Sequence, residues 1–158
     1  MSTDLIIDGF VVGHSTVGGD DATDAILSMY ESLDRQDVSF LLISGIVISL
    51  YNIVDVKRIS EKIGLPVIGV TYKDSDGIEK AIKHHFPESY ESKLSEYSAL
   101  GQREKITLHT SHDLYIRNEG CTVLEATQLL NKLTVQGSFP EPLRIAQMLA
   151  NTLLKAKF

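Results

Sequence analysis

Three aspartates, Asp20, Asp21 and Asp24, follow the pair Gly18-Gly19 at the head of a predicted helix. Carboxylates converging on one point bind Mg²⁺ or Mn²⁺ through oxygen. Such an ion activates water and stabilises charge in phosphodiester cleavage. The same residues also serve as a solvated helix N-terminus, where acidic side chains complement the dipole. Residue types alone favour that simpler use. Lys73, in VTYKD, offers a point charge to a phosphate, or is a solvated loop lysine. The glycine pair does not form a nucleotide loop. G-x-G-x-x-G is absent, and aspartates fill the helix start where a phosphate needs free N–H groups.

Other reactive residues point elsewhere. His84 and His85 are adjacent, so they do not share a helix face and make a poor metal pair. His109 and His112 bracket a turn. Cys121 precedes a predicted helix without an evident base and reads as structural. Arg144, in PEPLR, opposes the dipole of the helix it opens, so a buried salt bridge or a phosphate contact is expected to hold it.

Positioning these residues requires a sheet. Residues 38–50, VSFLLISGIVISL, form the longest apolar run. Its β-branched residues and glycine predict a strand buried on both faces. Ser44-Gly45 stands at the carboxyl end, where open α/β sheets carry their chemistry. A metal nuclease needs a carboxylate there. Residues 5–17 read as strand, either a hairpin turning at Asp8-Gly9 or one long bulged strand. A helix follows from Asp20 or Asp21 to Asp34. Another is capped by Asp55 and stopped by Gly64. Residues 65–71 give a second buried strand, completing a parallel, right-handed βαβ unit. Residues 76–85 are helical, and 87–100 form a polar, peripheral helix. Strands 105–108 and 114–117 flank a turn. Thr122 caps the next helix, and the last opens at Pro140 or Pro142.

The 158 residues fit one domain, 1–158, with 43% hydrophobic and 23% charged residues. A single cysteine rules out an intramolecular disulfide and predicts a reducing interior. The stretch MSTDLIID lacks the basic n-region and long apolar h-region of a signal peptide, and no apolar run reaches the roughly 18 residues of a membrane span. A cytoplasmic protein with no membrane contact is expected. The charge of −6 weighs against strong non-specific nucleic-acid binding. A small acidic metal site docking one phosphate stays compatible with it.

Four stretches together resemble a known family. LPVIGVTYKD (65–74) is similar to the endonuclease V segment in which a proline-led strand ends near a lysine. FPEPLRIAQMLA (139–150) resembles the closing helix of the same enzymes. STVGGDDAT (15–23) and ISGIVISLYNIVDV (43–56) narrow the match to an archaeal family related to endonuclease V, domain of unknown function ninety-nine. The resemblance runs from about Leu5 to the C-terminus. It implies an α/β fold, ribonuclease H-like, with a mixed sheet flanked by helices. By analogy it implies metal-dependent cleavage of nucleic acid near a damaged or deaminated base.

Residue by residue, the resemblance argues against hydrolysis. The family's first-strand aspartate precedes the segment matching Leu5, so that acid and its strand are expected to be missing, leaving the domain N-terminally shortened. Asp8 is its possible substitute. Gly18 stands where an aspartate is frequent, Ser44 where the strand-end aspartate belongs, and Cys121 where a histidine belongs. Asp20 or Asp21 matches the enzyme's glutamate, and Lys73 is retained one residue late. The leading expectation is an endonuclease V-like domain with a degenerate site that binds nucleic acid or a protein. The alternative is a metal-dependent endonuclease with a rearranged site of Asp8, Asp20, Asp21 and Lys73, holding Mg²⁺ or Mn²⁺ on Asp20 and Asp21. The strand gap has three possible repairs: refilling by residues 5–17, a strand donated by a second chain in a homodimer, or a different start. An unrelated α/β protein for a small ligand is the third reading.

Overall fold

Local signals build most of the helices. The computed structural model describes residues 1–75 and 77–156. Helix α1 spans Ala22–Leu33 and ends where Asp34 turns left-handed. Helix α2, Val56–Ile63, opens with the Asp55 carboxylate accepting from the Arg58 N–H and stops at Gly64, whose φ is +69°. Helices α3, Glu79–His85, and α4, Tyr90–Ala99, follow. The expected start of α3 at Asp76 lies outside the described residues. Helix α5, Val123–Leu133, carries a full capping box between Thr122 and Glu125. Helix α6, Glu141–Lys155, opens after Pro140. No helix among the described residues is long and apolar enough to cross a membrane.

A mixed sheet lies between these helices. Strand β1, Leu41–Ser44, pairs in parallel with β4, Val67–Thr71, as the βαβ reading requires. Strand β6, Asp113–Glu119, runs antiparallel to β4, and β5, Glu104–Thr107, closes the order β1-β4-β6-β5. Ile68 and Val70 face a core with Leu114, Ile116, Ala126, Leu130 and Leu143. On the other face Val67 packs with Ala22, Ile46, Val54, Val56 and Ile59. Alternation along β4 thus serves both faces of a three-layer α/β/α arrangement.

Two expectations need correction. Residues 5–17 form neither a hairpin nor a bulged strand; the segment makes no strand pairing. Sheet formation needs a partner edge as well as β-branched residues. Strand β1 is therefore an edge among the described residues, and Leu41–Ile43 are only half-buried instead of covered on both faces. Beyond Ser44 the chain turns at Gly45, with φ +75°. It then makes a small antiparallel ribbon, β2, Val47–Ile48, with β3, Asn52–Ile53. The connecting residues Ser49, Leu50 and Tyr51 all have positive φ, at 42°, 58° and 60°. Such backbone persists in non-glycine residues only where neighbours hold it.

Candidate functional site

The Gly18–Asp21 loop meets the β2–β3 turn, and buried polar groups tie the two together. Asn52 is fully buried. Its Oδ1 accepts from the Ala22 N–H at 3.0 Å, satisfying an orphan donor of α1. Its Nδ2 donates to the Thr16 carbonyl at 2.9 Å and to Asp21 Oδ1 at 2.7 Å. Asp21 also accepts from the Thr16 N–H at 2.9 Å and the Thr16 hydroxyl at 2.6 Å. These hydrogen bonds, the Thr16 hydroxyl first, hold its carboxyl at about 2, against 3.8 ordinarily. Asp21 sits at the N-cap position of α1, but its side chain makes no cap bond. It ties the loop back on itself, where the sequence reading expects helix capping.

Asp20 faces a different partner. Lys93, on α4 and only 4% exposed, places Nζ at 2.6 Å from Asp20 Oδ1. The same ammonium donates to the Gly19 carbonyl at 3.2 Å and the Tyr51 carbonyl at 3.1 Å. It stands 4.7 Å from the centre of the Phe86 ring. The helix expected to be polar and peripheral thus inserts one cation into the centre of the knot. Asp24 is paired with Arg58 of α2 at 2.7 Å.

The remaining sequence candidates stand apart. Asp8 pairs with Arg35, just beyond the C-terminal end of α1. Twelve helical residues separate that end from Asp20 and Asp21, about 18 Å at 1.5 Å per residue. Lys73 is exposed past the end of β4, and its carbonyl accepts from Arg103 at 3.1 Å. Among the described residues no three His, Cys, Asp or Glu side chains gather to hold a metal. The donor set does not suit a divalent cation. Mg²⁺ needs charged oxygens with free lone pairs, whereas Asp20 is neutralised by an ammonium and Asp21 already accepts three donors.

The carboxyl end of the parallel pair carries neutral and aromatic groups. Ser44 closes β1, and the Gly45 N–H donates to Val70 at 2.8 Å. Tyr72, just past β4, stacks on Phe139 with ring centres 4.1 Å apart. Burial pushes its hydroxyl pKa up, partly offset by the nearby Ser44 hydroxyl. The hydroxyl is buried without a hydrogen bond of normal geometry. Cys121 lies beyond the other end of β4, since Val67 pairs with Glu119. The two ends of β4 are about 13 Å apart at 3.3 Å per residue. Burial raises the Cys121 pKa, which makes the thiol a poor nucleophile. Arg144 pairs with Glu141, but its side chain is 49% exposed, so the pair is not the buried one expected.

Sequence reasoning missed Lys93, Asn52, Thr16 and the Tyr72–Phe139 stack. One signal was available: Lys93 lies three residues after Tyr90 and four before Tyr97, on an aromatic helix face.

Comparisons with known proteins agree with this architecture. The family model described as endonuclease dU matches residues 1–154. A UPF0215 protein of Pyrobaculum calidifontis is 31% identical over 149 residues, covering 94% of this chain and 81% of the relative. A UPF0215 protein of Pyrococcus horikoshii is 32% identical over 155 residues, covering 97% and 77%. A crystal structure of a protein of unknown function from Archaeoglobus fulgidus superposes with a TM-score of 0.74 at 28% identity, covering 87% of this chain and 77% of that one. Ciona intestinalis endonuclease V, in complex with a 24mer DNA containing an inosine followed by a ribo-adenosine, gives a TM-score of 0.53 at 14% identity. That match covers 85% of this chain and 64% of that one. It is a likeness of fold.

The Asp21 hydrogen bonds set a pH dependence. The folded carboxyl titrates below its unfolded value, so its contribution is present above about pH 4 and is lost as pH falls through about 2. Urea unfolding of Asp21→Asn and wild type is expected to differ most near neutral pH, with wild type more stable. The gap should close as the pH approaches 2. A gap independent of pH contradicts the assignment.

Proposed function

We propose, from the premise that the chain belongs to the endonuclease dU family, that it binds nucleic acid and does not hydrolyse it. One observation carries this reading. The carboxylates of Asp20 and Asp21, the two that sequence reasoning assigned to a metal, are engaged by Lys93, Thr16 and Asn52. Ser44 supplies only a hydroxyl at the strand end where the family resemblance calls for an aspartate. Tyr72 and Phe139 fill the space beside it. The fold neighbour that holds inosine-containing DNA supports nucleic acid as the partner class. Retention of the fold with loss of free carboxylates suits a module that grips a strand without cutting it.

Labelled single-stranded DNA and RNA, with inosine or deoxyuridine and without, test this by fluorescence anisotropy and gel analysis in Mg²⁺ or Mn²⁺. Binding without cleavage is the expected outcome. Metal-dependent cleavage that disappears in Asp20→Ala/Asp21→Ala overturns the reading and restores the rearranged nuclease site.

We also propose that two copies close each other's open sheet edge. The outer edge of β1 is unpaired among the described residues. Residues 5–17 leave Ile6, Phe10, Val12 and Val17 exposed. A cavity of about 500 Å³ beside the edge includes Leu33, Phe40, Leu42, Leu129 and Leu143 in its lining. Exchange of this segment satisfies backbone groups on β1 and buries the apolar side chains. Sedimentation equilibrium is expected to give twice the 17.5 kDa chain mass, falling to one chain mass in Phe10→Asp. A wild-type monomer at high micromolar concentration contradicts this.

A further inference from the structure

A second polar surface lies on the antiparallel half of the sheet. On β5 and β6, Ile106, Leu114 and Ile116 point into the core. Strand alternation therefore places Lys105, Tyr115 and Arg117 together on the opposite face. Lys105 and Tyr115 are direct cross-strand partners. A cleft of about 620 Å³ opens over them, walled by Tyr97 of α4 and by Arg103.

Both guanidinium groups are preset by the backbone. Arg103 donates to the Lys73 carbonyl at 3.1 Å and the Ser75 carbonyl at 2.8 Å, and lies 5.1 Å from the centre of the Tyr115 ring. Arg117 donates to the Gly101 carbonyl at 3.1 Å and lies 5.8 Å from the centre of the Tyr97 ring. Burial holds the Arg117 pKa below its ordinary value against the opposing Tyr97 contact, and repulsion from Arg103 adds to the depression. Two cations are thus held near one another in a partly desolvated cleft. Among the described residues the acids nearby are Asp74, paired with Arg103 at 3.3 Å, Asp113, paired with Lys105 at 2.8 Å, and Glu79 in the lining. Among the described residues Arg117 enters no ion pair.

We propose that this cleft seats a backbone phosphate of single-stranded nucleic acid between Arg103, Lys105 and Arg117. A guanidinium held by carbonyl groups loses little freedom on meeting a phosphate, and its planar donors match phosphate oxygens. Lys105, more exposed, adds a mobile point charge at the entrance. Contacts of this kind fix the position of a strand without reading its bases. A confined cluster of three cations on an acidic chain suits a flexible single strand better than a duplex, which needs a broader basic surface. The proposal rests on the nucleic-acid reading above and locates one contact within it.

The test is fluorescence anisotropy of a labelled single-stranded oligonucleotide with the full chain, wild type, Lys105→Glu, Arg117→Gln and Lys132→Glu. Lys132 is an exposed residue on α5, away from the cleft. Thermal unfolding of each variant reports folding. Binding weakened roughly tenfold in the two cleft variants, with Lys132→Glu unchanged, supports the proposal. If Arg117→Gln unfolds early, Lys105→Glu alone decides between the outcomes. Equal binding by all variants overturns the cleft assignment and leaves the nucleic-acid reading intact. Absence of strand binding in wild type overturns both. Inorganic phosphate titrated into the wild-type complex identifies the source. Displacement only at phosphate concentrations far above the oligonucleotide dissociation constant supports a strand site. Phosphate binding as tight as the strand's identifies a small-anion site and overturns the proposal.

Discussion

The Lys93 ammonium ties α4 to the Gly18–Asp21 loop and to the β2–β3 turn, two segments that Asn52 also joins. Burying a cation is costly unless its donors are paired. Here Asp20, the Gly19 carbonyl and the Tyr51 carbonyl accept from it, and the Phe86 ring face lies alongside. The Tyr51 contact matters most for the backbone. Ser49, Leu50 and Tyr51 are consecutive left-handed residues, and such positions cost on the order of 1 kcal/mol or more each. Lys93 holds one end of that turn, and the Gly18 N–H holds the other through the Ser49 carbonyl.

Asn52 completes the knot from beneath. With both ends of its amide engaged, it fixes the start of α1 and aims Asp21 at Thr16. Removing Asn52 leaves the buried Ala22 N–H unpaired, at roughly 1–3 kcal/mol. Asp20 remains 66% exposed at its side chain, so it reaches water while balancing the buried charge. The carboxylates that a metal would use are therefore part of the packing. The carboxyl ends of β1 and β4 carry Ser44 and the Tyr72–Phe139 stack.

The elements legible in the sequence are those whose signals are local. Asp55, Gly64 and the Thr122–Glu125 box lie within a turn of the helix ends they define, and α2 and α5 follow them. Strand β4 was legible from its apolar run, and the β1–β4 parallel pairing from the intervening helix. Residues 5–17 were not, because a strand exists only with a partner, and β-branched residues alone do not supply one. Lys93 was hidden in a polar helix, since its burial depends on loops more than forty residues away in sequence. The aspartates were recognised as notable, but their types could not reveal which donors surround them. The family resemblance located the departures at Gly18 and Ser44. Only the fold shows that Cys121 lies at the opposite end of β4 from Ser44.

Lys93, Thr16 and Asn52 engage Asp20 and Asp21, and the proposed lack of hydrolysis rests on that engagement. Calorimetric titration of Mn²⁺ and Mg²⁺ into the wild-type chain and Asp20→Ala/Asp21→Ala tests it most directly. No site-specific heat at millimolar metal in either protein is the expected result. Stoichiometric binding in wild type that vanishes in the double variant would contradict it.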